Sequence, residues 1–189
     1  MADMLQRALL LAAPFLGAAC ASVPRAYAHD VGLAVNLFGG YQAVDQARYD
    51  GHPLAGLELV THDPLNGWGY ELGGQYGAED EETSSTRHEG EFGEVYLGMR
   101  RSWERGSMRP YVGFGGSWAR VTDRRRSPTP TIEVENDSGG GYARAGVLWN
   151  LERLSFDRGT QVLVGFDVRG LLGEDLDGIQ AALVLGFGR

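Results

Sequence analysis

At 189 residues the chain is long enough for one domain with a sizeable core, and its composition carries no sign of disorder or of a second domain. Its 17 basic and 25 acidic residues give a net charge of -8, which repels nucleic-acid backbones and leaves no broad basic surface for phosphate. The single cysteine, Cys20, excludes an intramolecular disulfide and a cysteine-built metal site, while 29 glycines and 10% aromatic residues suit strands with tight turns better than helices.

The N-terminus reads as an export signal, because Arg7 precedes an apolar run, residues 8–19, that is too short to cross a bilayer as a helix. Ala26-Tyr27-Ala28 and Ala19-Cys20-Ala21 both present small residues for cleavage, and the expected cut follows Ala28. Leu16-Gly17-Ala18-Ala19-Cys20 also resembles a bacterial lipobox with its leucine one position too far upstream, so lipidation of Cys20 stays open as the alternative. The expected organisation is residues 1–28 as signal peptide and residues 29–189 as one β-barrel domain.

From His29 onward no apolar run reaches the ~18 residues of a transmembrane helix. Instead, eight segments alternate apolar with polar or small side chains, the period of a half-buried strand. The first two span 31–41 and 54–61. The third sets Trp68, Tyr70, Leu72, Gly74 and Tyr76 against Gly69, Glu71, Gly73 and Gln75. The fourth and fifth span 92–103 and 109–121. In the sixth, Ala143, Ala145, Val147 and Trp149 oppose Tyr142, Arg144, Gly146 and Asn150. In the seventh (160–172), Val162, Val164, Phe166 and Val168 oppose Gln161, Gly165, Asp167 and Arg169. The eighth (179–189) sets Ile179, Ala181, Leu183, Leu185 and Phe187 against Gln180, Ala182, Val184, Gly186 and Gly188.

Short connections (62–67, 104–108, 152–159) alternate with mostly longer polar ones (42–53, 77–91, 122–138, and a shorter acidic one at 173–178). This pattern fits an all-β, eight-stranded, antiparallel up-and-down transmembrane barrel with short periplasmic turns and longer outer loops. The four tryptophans fall on the apolar face near strand ends, as an aromatic girdle would, with Trp68, Trp103 and Trp149 at the periplasmic rim and Trp118 at the outer rim.

These features, together with the strand entry Arg109-Pro110-Tyr111-Val112-Gly113-Phe114-Gly115 and the C-terminal strand, make the chain similar to the small OmpA/OmpX-type outer-membrane β-barrel family. The resemblance covers essentially the whole mature chain and implies residence in the outer membrane of a Gram-negative bacterium. It implies contact with outer-membrane lipid, lipopolysaccharide and the barrel-assembly machinery, the last through Leu183, Leu185 and Phe187 of the final strand. The family pattern usually ends on an aromatic residue, whereas here Phe187 is third from the end and Arg189 is last. No peptidoglycan-binding domain is expected.

Eight strands enclose a space that side chains can fill, so a wide pore is not expected. Projecting the alternation inward puts Glu58, Glu71 and Arg100 in the lower half of the lumen and Arg144, Asp167 and Arg169 nearer the outer end, with Glu94 able to join them across it. Glu71 is expected to pair with Arg100, and Asp167 with Arg144 or Arg169, because an unpaired buried charge costs several kcal/mol.

No catalytic, cofactor or metal site is expected. Catalysis on a lipid would need a serine, a histidine and a carboxylate together, and none of His29, His52, His62 and His88 stands in the His-x-Ser arrangement of the lipid A deacylase family; His88 with Ser84 or Ser85 is the nearest candidate. Glu79-Asp80-Glu81-Glu82 and Glu174-Asp175-Leu176-Asp177 match no EF-hand spacing and read as solvated faces. Arg124-Arg125-Arg126 reads as a soluble basic run with lipopolysaccharide phosphate or a partner as its alternative. Glycine-rich runs at 113–116 and 139–141 lack the Gly-Lys-Ser/Thr ending of a phosphate loop and suit tight barrel curvature.

The leading expectation is a non-enzymatic integral outer-membrane protein that supports the envelope or presents surface loops, with 77–91 and 122–138 as the partner-facing loops. A narrow or gated channel is the alternative, and a soluble periplasmic carrier of the lipocalin kind is the third, requiring an apolar lumen and a polar exterior.

Overall fold

The computed structural model describes residues 32–44, 51–83, 86–126, 132–151, 161–173 and 177–188, so the expected signal segment with Cys20 lies outside the described residues. Period-two alternation gives each strand one apolar and one polar or small face, and such strands bury both faces' needs only by closing on one another. Eight do so: β1 Gly32–Val44, β2 His52–His62, β3 Trp68–Thr83, β4 Thr86–Ser102, β5 Met108–Arg126, β6 Ile132–Asn150, β7 Gln161–Gly173 and β8 Gly178–Gly188. Each pairs antiparallel with its chain neighbour, and β1 pairs back with β8 from Ala34↔Gly188 to Val44↔Gly178, which closes the barrel.

The faces are inverted relative to a soluble protein. Leu183 (73% exposed), Phe114 (53%) and Leu37 (46%) point outward, while Glu71 (0%), Glu58 (1%) and Arg169 (1%) point into the lumen. The same strand supplies both: on β7, Val164, Phe166 and Val168 face out and Asp167, Arg169 and Leu171 face in. The hydrophobic part of the core also lies in the lumen, where Phe38, Leu54, Leu148, Leu163, Leu171, Ala182 and Val184 pack with Tyr96, Tyr111 and Tyr142.

The connection between β2 and β3 is a tight turn for identifiable reasons. Asp63 Oδ1 accepts the Leu65 amide (2.9 Å) and Oδ2 accepts Asn66 Nδ2 (2.8 Å), while Gly67 takes the left-handed conformation (φ 74°) that closes the Asp63–Trp68 backbone pair. This end, shared with the β4–β5 connection, is the short-turn end.

At the opposite end the structure corrects the expected loops. Most of 77–91 is β3 and β4 paired from Gly77↔Phe92 to Thr83↔Thr86, and most of 122–138 is β5 and β6 paired out to Arg125↔Ile132. The β2–β3 ladder stops at Leu54↔Gly77 and the β6–β7 ladder begins at Gly140↔Gly173, so β3 to β6 rise as a four-stranded sheet above their neighbours. Polar alternation is as compatible with a strand wet on both faces as with a loop, which is why the period weakens there. The same lengthening moves Trp118 away from a strand end, since β5 continues to Arg126, and Trp103 falls just past the end of β4 at Ser102.

Glycines do more than curve the barrel. A methyl group at Gly146 would stand 2.5 Å from the Tyr111 ring, its cross-strand neighbour, and one at Gly73 would run into Tyr96 in the same way. Each inward tyrosine therefore lies down over a glycine on the adjacent strand, which lets a bulky ring fit a narrow lumen. Gly146→Val is expected to displace Tyr111 and destabilise the barrel by ~1–3 kcal/mol, read as a lowered urea midpoint in detergent.

Candidate functional site

The site is the lumen. Its centre is Glu58 on β2, which accepts hydrogen bonds from Asn36 Nδ2 (2.8 Å), Tyr96 Oη (2.9 Å), Arg100 Nη2 (2.5 Å) and Arg144 Nη1. Beside it Glu71 accepts from Arg100 Nε (2.8 Å), Tyr142 Oη (2.6 Å) and Arg144 Nη1 (3.5 Å). Asp167 accepts from Tyr111 Oη (2.7 Å) and Arg144 Nε (3.0 Å). Arg144 thus touches three carboxylates from three different strands, and Arg100 bridges two of them with its guanidinium 4.2 Å from the centre of the Tyr111 ring.

A second level lies toward the tall end. Arg169 reaches Glu94 through Nη2 (2.5 Å) and Nη1 (3.2 Å), and Gln75 Nε2 donates to the same carboxylate (2.6 Å) and to Gln42 Oε1 (3.3 Å). The Arg169 guanidinium lies 4.1 Å from the centre of the Tyr96 ring and 4.2 Å from that of Tyr142, two rings that meet edge-on. Because the hydroxyls of those two tyrosines bond Glu58 and Glu71 below, the rings tie the two levels into one network. Such charge-assisted bonds in a water-poor interior are strong when every partner is present and costly when one is missing.

Glu71 and Arg100, expected to pair, lie 2.8 Å apart, and Asp167 takes Arg144 rather than Arg169. Arg169 instead crosses the lumen to Glu94. Arg144 and Asp167 do not form a separate outer group as expected; they join Glu58 and Glu71, because the stagger of the strands brings β6 and β7 positions level with lower positions of β2 and β3. Sequence reasoning missed Asn36, Gln42, Gln75, Tyr96, Tyr111 and Tyr142 as members. Parity could have found them, since Tyr96 shares its face with Glu94 and Arg100.

Trp68 stacks edge-on to Phe114 (6.5 Å) and Trp149 lies against Phe166 (5.7 Å), both at the short-turn end of the outward face. Trp118 has the Arg120 guanidinium 5.4 Å from its ring. Leu183 and Leu185 of the final strand are exposed on the outward face, with Phe187 half-buried beside them.

Of the other candidates, Ser84, Ser85, Glu174, Asp175 and His29 lie outside the described residues. Arg124 stands opposite Glu89 on β4 and Glu133 on β6, and the basic run belongs to strand β5 instead of to a loop. The structure also brings together a pair not anticipated: Ser102 Oγ is 3.1 Å from His62 Nδ1 at the short-turn end. The neighbouring Asp63 carboxylate is bonded within its own turn.

A closed, eight-stranded antiparallel barrel, apolar outside and charged within, is the fold of the small outer-membrane β-barrels. Among solved structures it is similar to Ail, the attachment invasion locus protein of Yersinia pestis (TM-score 0.61, 11% identity, 84% of this chain and 99% of that one). It is likewise similar to a major outer membrane protein from Thermus thermophilus (0.62, 10%, 85% and 100%) and to the N-terminal β-barrel domain of Pseudomonas aeruginosa OprF (0.50, 16%, 84% and 97%). No protein-family model matches the chain, and no characterised protein matches it by sequence.

Proposed function

We propose that the chain is a non-enzymatic integral protein of the outer membrane of a Gram-negative bacterium, exported through its N-terminal signal, with a plugged lumen. In this reading it supports the envelope and offers the tall β3–β6 sheet to surface partners, in contact with lipopolysaccharide and, during biogenesis, with the barrel-assembly machinery. The observation that carries it is the inversion of faces: a continuous outward belt including Leu37, Leu57, Phe114, Phe166 and Leu183 around a lumen filled by paired charges. A lipocalin-like carrier needs the opposite arrangement. Catalysis is disfavoured because hydrolysis requires a histidine oriented by a third group, and of the two carboxylates near the Ser102–His62 pair Asp63 is committed to its turn and Glu104 to Arg109.

The test is gel mobility with and without boiling, combined with planar-bilayer recording. Expected are a heat-dependent shift in the outer-membrane fraction and no steady conductance from the wild-type protein. A soluble periplasmic protein without the shift would overturn the assignment.

The second reading, a narrow gated channel, is favoured by one observation. Across β7, β8, β1 and β2, Arg169, Gln180, Gln42 and His52 are consecutive register neighbours, all inward and no more than 2% exposed. Arg169 Nε, Gln180 Oε1 and Gln42 Nε2 find no hydrogen-bond partner among the described residues. A polar layer of that kind suits water, with the Glu94–Arg169 pair as the movable barrier. Under this reading Glu94→Gln raises single-channel open probability above the wild type; unchanged traces for it and for Arg100→Ala and Asp167→Ala remove the reading.

A further inference from the structure

The outward face of the barrel is apolar through its middle, and on β4 Val95, Leu97 and Met99 follow that rule down to Arg101, one residue before the strand ends. Arg101 is exposed and, among the described strand residues, is the one charge on the outward face bordering the belt at the short-turn end. Its guanidinium lies 5.7 Å from the Trp68 ring, its cross-strand neighbour, and 5.4 Å from the Trp103 ring. Trp68 is in turn buttressed edge-on by Phe114. The nearby Arg109 is neutralised by Glu104 at 2.6 Å, whereas among the described residues no carboxylate lies within ion-pair distance of Arg101.

Cation–π attraction to two indoles holds the guanidinium, and among the described residues no hydrogen bond uses its N–H edges. Those edges match a pair of oxyanion oxygens in a bidentate fork. Met99, Val112 and Phe114 stand immediately on the belt side of the same patch, all outward and 37–53% exposed, so an oxyanion bound there would have an apolar surface beside it. A free phosphate makes no use of that surface; a lipid does.

We propose that Arg101, Trp68 and Trp103 form a binding site for the phosphodiester of a phospholipid in the leaflet at the short-turn end, with its acyl chains along Met99, Val112 and Phe114. This rests on the membrane-spanning reading above. The site anchors the barrel's depth: indoles and guanidinium mark the headgroup plane on β3 and β4, opposite the Trp118–Arg120 pair on the other side of the belt.

The experiment is native mass spectrometry of the folded protein released from detergent micelles doped with phosphatidylglycerol, for wild type, Arg101→Gln and Trp103→Leu. Wild type is expected to retain one phosphatidylglycerol after the others are stripped. Arg101→Gln is expected to weaken that retention about fivefold, as loss of one interfacial cation predicts, and Trp103→Leu to weaken it with the charge unchanged. Equal retention by Arg101→Gln and wild type overturns the site, as does full displacement of the lipid by an equal concentration of inorganic phosphate. Vesicle insertion of the same wild-type sample separates the two ideas: failure to insert overturns the membrane reading and the site with it, whereas insertion with equal retention overturns the site alone.

Discussion

Replacing Arg144 with methionine is expected to destabilise the barrel by about 3–5 kcal/mol, the cost of leaving buried Asp167 without its cation and Glu58 and Glu71 with Arg100 alone. Among the described residues no other lumen side chain is bonded to three acids; Arg144 holds Glu58, Glu71 and Asp167, which come from three separate strands. Four carboxylates (Glu58, Glu71, Glu94, Asp167) already face three guanidiniums (Arg100, Arg144, Arg169), and tyrosine, asparagine and glutamine donors make up the difference. Removing Arg144 leaves Asp167 with Tyr111 alone among its observed donors. The readouts are the temperature at which gel mobility shifts and the urea midpoint of the protein refolded into vesicles. Adding Asp167→Asn to Arg144→Met is expected to restore part of the loss, since among the described residues Arg144 is the one cation paired with Asp167. Arg120→Ala, which breaks the bidentate but half-exposed Arg120–Asp137 pair, serves as the contrast and is expected to cost ~0–1 kcal/mol. If Arg144→Met unfolds no earlier than Arg120→Ala, the network does not hold the barrel.

Leu37→Arg is the second large effect. Leu37 lies near the middle of β1 with Leu57 and Leu185 as its cross-strand neighbours, and all three face outward. In a bilayer an arginine there sits near the hydrocarbon midplane and is expected to cost ~2–4 kcal/mol, seen as a lower urea midpoint in vesicles. On a soluble barrel the same position would face water, and surface substitutions there are usually within ~0.5 kcal/mol of neutral. Thus a large loss supports the outward belt as a lipid face, and a neutral result rejects it.

Most of the barrel was legible in the chain. The alternation on β7 and β8 assigned Phe166, Val168, Leu183 and Leu185 to one surface and Asp167, Arg169 and Gln180 to the other, and the observed burial divides them the same way. What escaped was of two kinds. The outer parts of β3 to β6 are polar on both faces, so their alternation vanishes and Gly77 to Glu91 read as loop although it is largely paired strand. Glycine's second role was also hidden, because the contact of Gly146 with Tyr111 depends on which residue stands opposite it.

The division between sequence and tertiary structure follows from range. Which side of its strand a residue occupies is a local, period-two property, so the amino-acid order alone determined that Glu58, Glu71, Arg100, Arg144, Asp167 and Arg169 share an interior and that the apolar belt surrounds it. Which of them meet depends on strand stagger and on closure of β8 against β1, neither of which any single segment encodes. Glu58 and Arg144 are 86 positions apart, and Arg169 passes over its own neighbours to reach Glu94 on a distant strand. Only the closed barrel decided those partners, because ion pairing inside a low-dielectric lumen rewards whichever geometry satisfies every charge at once.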